Sequence, residues 1–299
     1  MLTATHAARL GFHAARRRSL AAFGLWGANV VDTLVTWAPI ALFALFLLRR
    51  FHFEGERPVA ALLALTGAAS VGAVIGALIR VLATGGTVAL LAAELCGDDP
   101  ESRTRFSVAA LAHADRLLPS VIFALVTAAN FALLFSGFTF AGIFLSSSHP
   151  AISALALTLG LTLVAPLAIT LWITAHLAVV RVAALGEEVG VALSGAVSFW
   201  ARRSGTILGA VAIPTLADFF FSLMFASFCS SLRDGPMLLA VAPLLASALV
   251  LAVVRAYFVT ARWGAFTALV LDEANALPPP PRPSAIVEAL PIVDALPLD

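Results

Sequence analysis

Four polar residues stand alone in long apolar runs of this 299-residue sequence: Asn29, Asp32, Asn130 and Asp218. An ionised carboxylate near the middle of a membrane costs about 2.5–3.5 kcal/mol, so such a residue normally faces the interior of a helix bundle and has a partner there. We therefore expect these residues to meet in one intramembrane polar cluster. The cluster would bind a proton, a cation or a lipid headgroup, or it would only join helices by hydrogen bonds with at least one carboxyl protonated.

A second interpretation pairs each carboxylate with an arginine of the next apolar helix, Asp32 with Arg80 and Asp218 with Arg255. Counting along the helices speaks against this pairing. The carboxylates lie about 20 Å in from the cytoplasmic ends of their helices, and the arginines only a few ångströms in from theirs.

Six arginines next to the apolar runs are candidates for contact with anionic lipid headgroups or with a protein partner: Arg16, Arg17, Arg18, Arg116, Arg202 and Arg203. Basic residues close to a membrane surface attract anionic lipid, although the positive-inside rule alone would also account for them. The last two end an amphipathic segment with Val189, Leu193 and Trp200 on one face. That pattern is typical of a helix lying on the inner leaflet.

Patterns that carry catalysis or metal binding are not found in the sequence. The six histidines have no metal-ligand spacing, and there is no nucleophile elbow, phosphate loop or zinc signature. Acidic pairs such as Glu187 and Glu188 suit the start of a helix better than a metal site. A formal net charge of +1 argues against a nucleic-acid partner, which needs a basic face. We expect no catalytic residue, no metal and no cofactor.

The composition places the chain in a membrane. Hydrophobic residues make up 61% of it and charged residues 12%, whereas soluble domains are nearer half apolar and a quarter charged. A helix needs about 20 apolar residues to cross a bilayer. The sequence therefore predicts an all-α fold with six transmembrane helices, Leu20–Leu48, Val59–Ile79, Leu117–Leu145, Ile152–Val180, Thr206–Cys229 and Met237–Val254.

Two apolar segments extend beyond these spans, Val81–Leu95 and Ala256–Leu271. We expect both to continue as helices that bend along the inner membrane surface, with a break at Gly85–Gly86 in the first. Most arginines fall on the side that holds both termini, so the positive-inside rule places the termini in the cytoplasm.

The six helices form three hairpins of similar pattern, about residues 6–99, 100–188 and 189–273. Each odd-numbered helix begins after an arginine (Arg18, Arg116 or Arg203), and an isolated polar residue follows that arginine by 14 or 15 residues. Residues 1–273 would thus be one transmembrane domain. Residues 274–299 form a proline-rich tail whose composition predicts disorder.

Two stretches, RLGFHAARRR (residues 9–18) and VAALGEEVGVALSGAVSFWARRS (residues 182–204), resemble a diffuse bacterial group of uncharacterised six-helix inner-membrane proteins. That group is similar to the membrane domain of some glycerophosphodiester phosphodiesterases. The resemblance covers the layout of residues 6–273 and implies a multi-pass protein of the bacterial inner membrane. It does not imply phosphodiesterase activity, because no catalytic domain is attached.

The sequence thus favours a non-enzymatic scaffold or accessory protein that binds membrane lipids or protein partners through its cytoplasmic arginines and tail. The alternative is a small transporter or permease that uses the polar cluster of Asn29, Asp32, Asn130 and Asp218. A membrane-embedded enzyme ranks third, since the sequence has no convergent set of His, Asp and Glu residues.

Overall fold

The computed structural model describes residues 1–34, 42, 58–97, 106–112, 114–119, 138, 149–231 and 237–278. Asn130, residues 279–299 of the predicted tail, part of the predicted span Leu20–Leu48 and most of the predicted span Leu117–Leu145 lie outside the described residues. The elements are α1 (Ala4–Arg17), α2 (Ser19–Asp32), α3 (Pro58–Cys96), α4 (Phe106–Ala112), α5 (Pro150–Leu159), a π-helical turn (Gly160–Val164), α6 (Ala165–Leu185), α7 (Val189–Ser231) and α8 (Met237–Glu273). No strand occurs in this part of the chain.

Four helical stretches within the described ranges are long and apolar enough to cross a membrane: Leu78–Cys96, Pro150–Leu185, Val189–Ser227 and Leu249–Glu273. They belong to α3, α5–α6, α7 and α8. The all-helical fold is confirmed, and these helices support a transmembrane protein. The count of six transmembrane helices and the threefold repeat stay predictions.

Helices α3 and α8 are longer than a membrane span. They contain 39 and 37 residues, or about 58 and 55 Å at 1.5 Å per residue, against a hydrocarbon core of about 30 Å. The predicted break at Gly85–Gly86 is wrong, because both glycines lie inside the continuous α3. They make room for neighbours instead: a Cβ on Gly86 would lie 2.9 Å from Cε2 of Phe106.

Two arginines interrupt the helical backbone between an amphipathic helix and an apolar one. Arg18, between α1 and α2, has φ −104° and ψ 59°. Arg203, inside α7, has φ −137° and ψ 27°. Both conformations lie outside the α-helical range, so the chain changes direction at each arginine. This agrees with the expectation that Arg18 and Arg203 end amphipathic segments.

The buried core lies among α1, α3, α6, α7 and α8, and its largest side chains include Phe199, Phe266, Leu91, Ile173, Leu177 and Ile207. Helix α1 lies directly against α8, where a Cβ on Gly264 would be 2.8 Å from Cα of Gly11. Two backbones can approach so closely only because neither residue has a side chain.

Large apolar side chains are exposed along one part of the bundle, for example Leu161 and Leu167 on α5–α6 and Leu216, Phe219 and Phe220 on α7. Beyond them, α6 from Ile173 onward and α8 from Ala256 onward are largely buried by neighbouring helices. Exposed apolar surface of this extent is typical of contact with a membrane. The packed part of the bundle therefore lies next to an apolar zone suited to lipid.

Candidate functional site

Asp32, at the end of α2, is a buried carboxylate with one ion pair. Nη2 of Arg80 donates to its Oδ2 at 3.3 Å. Its Oδ1 accepts no hydrogen bond in the described part of the chain. That oxygen lies over Gly76 of α3, where an added Cβ would be 2.7 Å away. Within the described residues, the site therefore holds one paired and one unpaired carboxylate oxygen.

Asp218, on α7, is held in a comparable way. Nε of Arg255 on α8 donates to its Oδ1 at 3.2 Å. One turn further along α7, the hydroxyl of Ser222 is buried without a hydrogen-bond partner among the described residues. The alternative pairing of Asp32 with Arg80 and of Asp218 with Arg255 is thus confirmed.

The structure does not bring Asp32 and Asp218 together, because each binds its own arginine and, within the described ranges, α2 and α7 do not pack against each other. The side chain of Asn29 is exposed on α2, and its carbonyl oxygen accepts hydrogen bonds from the hydroxyl and the backbone N–H of Thr33. Asn130 lies outside the described residues, so its place in a cluster stays a prediction.

The depth estimate that spoke against pairing was wrong because α3 and α8 do not bend away. Arg18 binds Glu94 through Nε at 2.9 Å. Asp32 follows Arg18 by 14 residues, and Arg80 precedes Glu94 by 14 residues. If two antiparallel helices touch at one pair of residues, counting the same number of residues along each helix leads to a second pair at a common level, here about 21 Å from the first. The carboxylate and its arginine are therefore at the same level.

Each of the three arginines that precede the odd-numbered predicted spans contacts the C-terminal end of a long helix. Arg18 binds Glu94 near the end of α3, and Arg203 binds Asp272 of α8 at 3.2 Å. Arg116 donates through Nη1 to the carbonyl of Gly186, the residue after α6, at 3.0 Å. Arginines can satisfy the free carbonyls and carboxylates at such ends.

An ionic network joins the ends of α6 and α8 to the first part of α7. Arg181 of α6 donates twice to Glu187, both at 2.8 Å, and once to Glu273 at 2.7 Å. The other oxygen of Glu273 accepts from Arg202 at 2.6 Å. At the end of α3, Cys96 Sγ is 3.8 Å from the carbonyl of Ala276. We call Arg181, Glu187, Arg202 and Glu273 the ionic latch.

The six predicted lipid- or partner-contact arginines divide by exposure. The side chains of Arg18 and Arg203 are only 16% and 18% exposed and are engaged by Glu94 and Asp272. Arg16, Arg17, Arg116 and Arg202 are exposed, although Arg17 lies 3.6 Å from Glu94 and Arg202 is bound to Glu273. Arg18 and Arg203 are therefore not available to a lipid or a protein partner.

The exposed arginines of α1 belong to a larger surface, the α1 basic stripe: His6, Arg9, His13, Arg16 and Arg17, all exposed. The opposite face of α1 is buried through small residues such as Ala7, Gly11 and Ala14. The three- or four-residue spacing of the basic side chains is the signal that identifies the stripe, because it keeps them on one helix face.

An aromatic cluster between α6 and α8 was not anticipated. The ring of His176 is 4.2 Å from that of Trp172 and 4.8 Å from that of Trp263, and Phe266 completes the group. The guanidinium of Arg262 lies over Trp172 at 5.2 Å, in cation–π geometry.

No protein-family model, curated protein or solved structure matches this chain. The resemblance to six-helix inner-membrane proteins therefore stays a prediction from the sequence. Among the residues that the structure describes, no group of three or more His, Cys, Asp and Glu side chains could hold a metal ion.

Proposed function

We propose that this chain is a non-enzymatic scaffold or accessory protein of the bacterial inner membrane, and that its α1 basic stripe binds anionic phospholipid at the cytoplasmic surface. The observation that carries the proposal is the two-sided construction of α1. One face packs on the bundle through small residues, and the other presents Arg9, Arg16 and Arg17 with two histidines to the outside.

The charge pattern of α1 supports lipid as the ligand. Helix α1 contains no Asp or Glu, and within the described residues the stripe has one carboxylate neighbour, Glu94 beside Arg17. Each arginine near an anionic membrane surface contributes about 1 kcal/mol of attraction. Three such residues correspond to about a 100-fold change in affinity. An attraction of this kind is screened by salt.

The same proposal includes six transmembrane helices arranged as three hairpins. The contacts of Arg18, Arg116 and Arg203 with the ends of three long helices support it. So does the second pair of contacts, Asp32 with Arg80 and Asp218 with Arg255. Hairpins built on one pattern would place their connecting amphipathic helices on one membrane surface, where the positive-inside rule puts arginine.

Lipid binding is tested with the full chain in nanodiscs of phosphatidylcholine mixed with vesicles that contain phosphatidylglycerol. The nanodiscs should float with the vesicles at low salt. They should separate from the vesicles in 0.5 M salt, because salt screens the attraction between the arginines and the anionic lipid. Replacing Arg9, Arg16 and Arg17 with Gln should abolish flotation. Arg202→Gln is the control, because the side chain of Arg202 is 63% exposed, close to the 65% of Arg17, but is bound to Glu273.

Vesicles of pure phosphatidylcholine should not bind in any variant. If the wild-type nanodiscs fail to float with anionic vesicles at low salt, lipid is not the ligand of the stripe, and an acidic protein surface becomes the partner to seek. If the triple variant and Arg202→Gln lose flotation equally, flotation depends on the net charge of the protein and not on the α1 basic stripe.

A small transporter or permease is a second candidate, favoured by the buried Oδ1 of Asp32, which has no hydrogen-bond partner among the described residues. Such an oxygen can take up a proton or a monovalent cation, and intramembrane carboxylates commonly do so. Proteoliposomes loaded with a pH-sensitive dye test this candidate. Proton flux that Asp32→Asn abolishes would support it, and the absence of proton, sodium and potassium flux in the wild type would remove it.

A further inference from the structure

We infer that the proline-rich tail, residues 279–299, docks on the α1 basic stripe of its own chain and competes there with anionic lipid. The tail lies outside the described residues, so the inference is drawn from its sequence and from the described helix ends around its start. The competition with lipid rests on the function proposed above. The contact between the tail and the stripe does not, and it can be tested without anionic lipid.

The tail leaves the bundle beside α1. The chain turns after α8 at Asn275, whose φ is 53°, a left-handed conformation common at helix ends. The carbonyl of Ala276 then lies 3.8 Å from Sγ of Cys96, at the end of α3. Two residues before Cys96, the carboxylate of Glu94 lies 3.6 Å from Arg17 of the stripe. The end of α3 thus contacts both the start of the tail and the end of α1.

The other end of α1 is close to the same place. The N–H of Leu2, just before α1, donates to the carboxylate of Asp272 at 2.8 Å. Asp272 is four residues before Ala276. A segment that continues from Ala276 therefore begins next to the helix that carries the stripe, whichever way it runs along that helix.

The tail and the stripe have opposite charges. Residues 279–299 contain three carboxylate side chains, those of Glu288, Asp294 and Asp299, and one arginine, Arg282. The stripe presents three arginines and two histidines, and within the described residues its one carboxylate neighbour is Glu94. Complementary charge of this kind guides docking and selects one surface over another.

The other exposed surface near the end of α8 suits an acidic segment less well. The first part of α7 is close, because Arg202 binds Glu273 at 2.6 Å. That bond already engages the arginine with a carboxylate. The exposed side chains there include Glu188, Ser194 and Ser198. Since Glu188 repels an acidic segment and the serines are neutral, the charges favour the α1 basic stripe.

The tail is long enough to cover the stripe. Glu288 lies 12 residues beyond Ala276, and a proline-rich chain extends about 3.1 Å per residue, or about 37 Å over that length. Glu288 and Asp294 can be up to about 20 Å apart. From His6 to Arg17 the stripe is about 16.5 Å long. Both carboxylates can therefore contact the stripe at the same time.

The connection through α8 makes weak contacts sufficient. An exposed ion pair is weak by itself, but a short flexible connection raises the effective concentration of a tethered segment to the order of 1 mM. The carboxylates of the tail and the phosphates of anionic lipid would bind the same three arginines, Arg9, Arg16 and Arg17. The tail would thus act as an internal competitor that weakens lipid binding by the stripe.

The contact is tested by cross-linking in the full chain, held in nanodiscs of pure phosphatidylcholine, after Cys96→Ser and Cys229→Ser have removed the native thiols. A short bis-maleimide joins His13→Cys on the stripe to Ala295→Cys in the tail, and this pair leaves all three arginines in place. The control pair is Ser198→Cys with Ala295→Cys, because Ser198 is exposed on α7, one turn from Arg202.

The pair on the stripe should cross-link at least fivefold faster than the control pair at low salt. In 0.5 M salt the rate should fall to that of the control, since salt screens ionic contacts. Glu288→Gln/Asp294→Asn/Asp299→Asn should have the same effect at low salt. Equal rates for the two pairs in the wild-type tail would overturn the inference. So would a rate on the stripe that the three tail substitutions leave unchanged.

The competition is tested separately, by flotation with vesicles that contain phosphatidylglycerol and with the native cysteines present. The variant with three neutral tail residues should reach half flotation with at least threefold less vesicle lipid than the wild type. Flotation equal to that of the wild type would overturn the competition. If neither protein floats, lipid binding by the stripe is wrong, and the cross-linking result still decides whether the tail docks.

Discussion

Asp32 and Arg80 form an ion pair whose two members are buried to very different extents. The side chain of Asp32 is 6% exposed and that of Arg80 is 52% exposed. The carboxylate thus lies inside the bundle while the guanidinium reaches its surface. Since a buried charge depends on its partner much more than an exposed one does, Asp32 needs Arg80 more than Arg80 needs Asp32.

Removing the arginine of this pair should therefore cost more than removing both charges. We expect Arg80→Gln to lower the free energy of unfolding by about 1–3 kcal/mol, because it leaves an uncompensated buried carboxylate. The double variant Arg80→Gln/Asp32→Asn should recover most of this loss. Unfolding monitored by tryptophan fluorescence in detergent provides the measurement. If the double variant is no more stable than Arg80→Gln, the carboxylate is not the source of the cost.

The space beside Asp32 depends on a glycine. A Cβ on Gly76 would lie 2.7 Å from Asp32 Oδ1, so Gly76→Ala should destabilise the protein by about 1–3 kcal/mol as an overpacking change. Gly76→Ala combined with Asp32→Ala should restore stability, because the second change removes the clashing oxygen. Gly27→Ala on α2 is the control, since nothing lies within 4 Å of its added Cβ. Equal effects of Gly76→Ala and Gly27→Ala in thermal unfolding would contradict the packing role.

The ionic latch should be held mainly by Arg181. Its side chain is 14% exposed and binds two carboxylates, so Arg181→Gln should destabilise by about 3 kcal/mol. Arg202 binds the same Glu273 but is 63% exposed, so Arg202→Gln should cost less than about 1 kcal/mol.

Hydrogen exchange locates the effect of the Arg181 change. Amides at the end of α6, the start of α7 and the end of α8 should exchange faster in Arg181→Gln, because the latch joins these three helix ends. The same amides in Arg202→Gln should stay close to the wild type. Exchange that rises throughout the bundle in Arg181→Gln, or rises equally in both variants, would argue against a local latch.

The sequence predicts helices and their approximate positions well because apolar runs and amphipathic periodicity are local properties. The same information cannot tell whether a helix continues straight past an arginine such as Arg80. Burial decides that question. Beyond Arg80, α3 is covered by residues including Phe106 and Leu117, so its apolar surface is buried by protein and does not need the membrane surface to cover it. The sequence alone therefore offers the pairing of Asp32 with Arg80 as an alternative and gives no reason to prefer it.

Contacts between distant residues show the same limit. The sequence predicts that Glu187 and Glu188 begin a helix, and α7 does follow them, with the Glu188 carbonyl accepting from the Ala192 N–H. The ionic partners of Glu273 lie 92 and 71 residues away in the sequence. A pattern of acidic pairs gives no information about such partners, since they depend on how the helices pack.

Attachment of α1 to the bundle depends on the contact between Gly11 and Gly264. A Cβ on Gly11 would lie 2.6 Å from the backbone nitrogen of Ala265, and backbone atoms of a packed helix cannot move aside as a side chain can. We expect Gly11→Ala to separate α1 from α8, with faster proteolysis after the α1 arginines and a loss of stability of about 1–3 kcal/mol. Gly205→Ala, whose Cβ would meet nothing within 4 Å, should be neutral or slightly stabilising because alanine favours helix. Limited trypsin digestion followed by mass spectrometry distinguishes the two, and Gly11→Ala cleaved no faster than Gly205→Ala would show that this contact does not hold α1 in place.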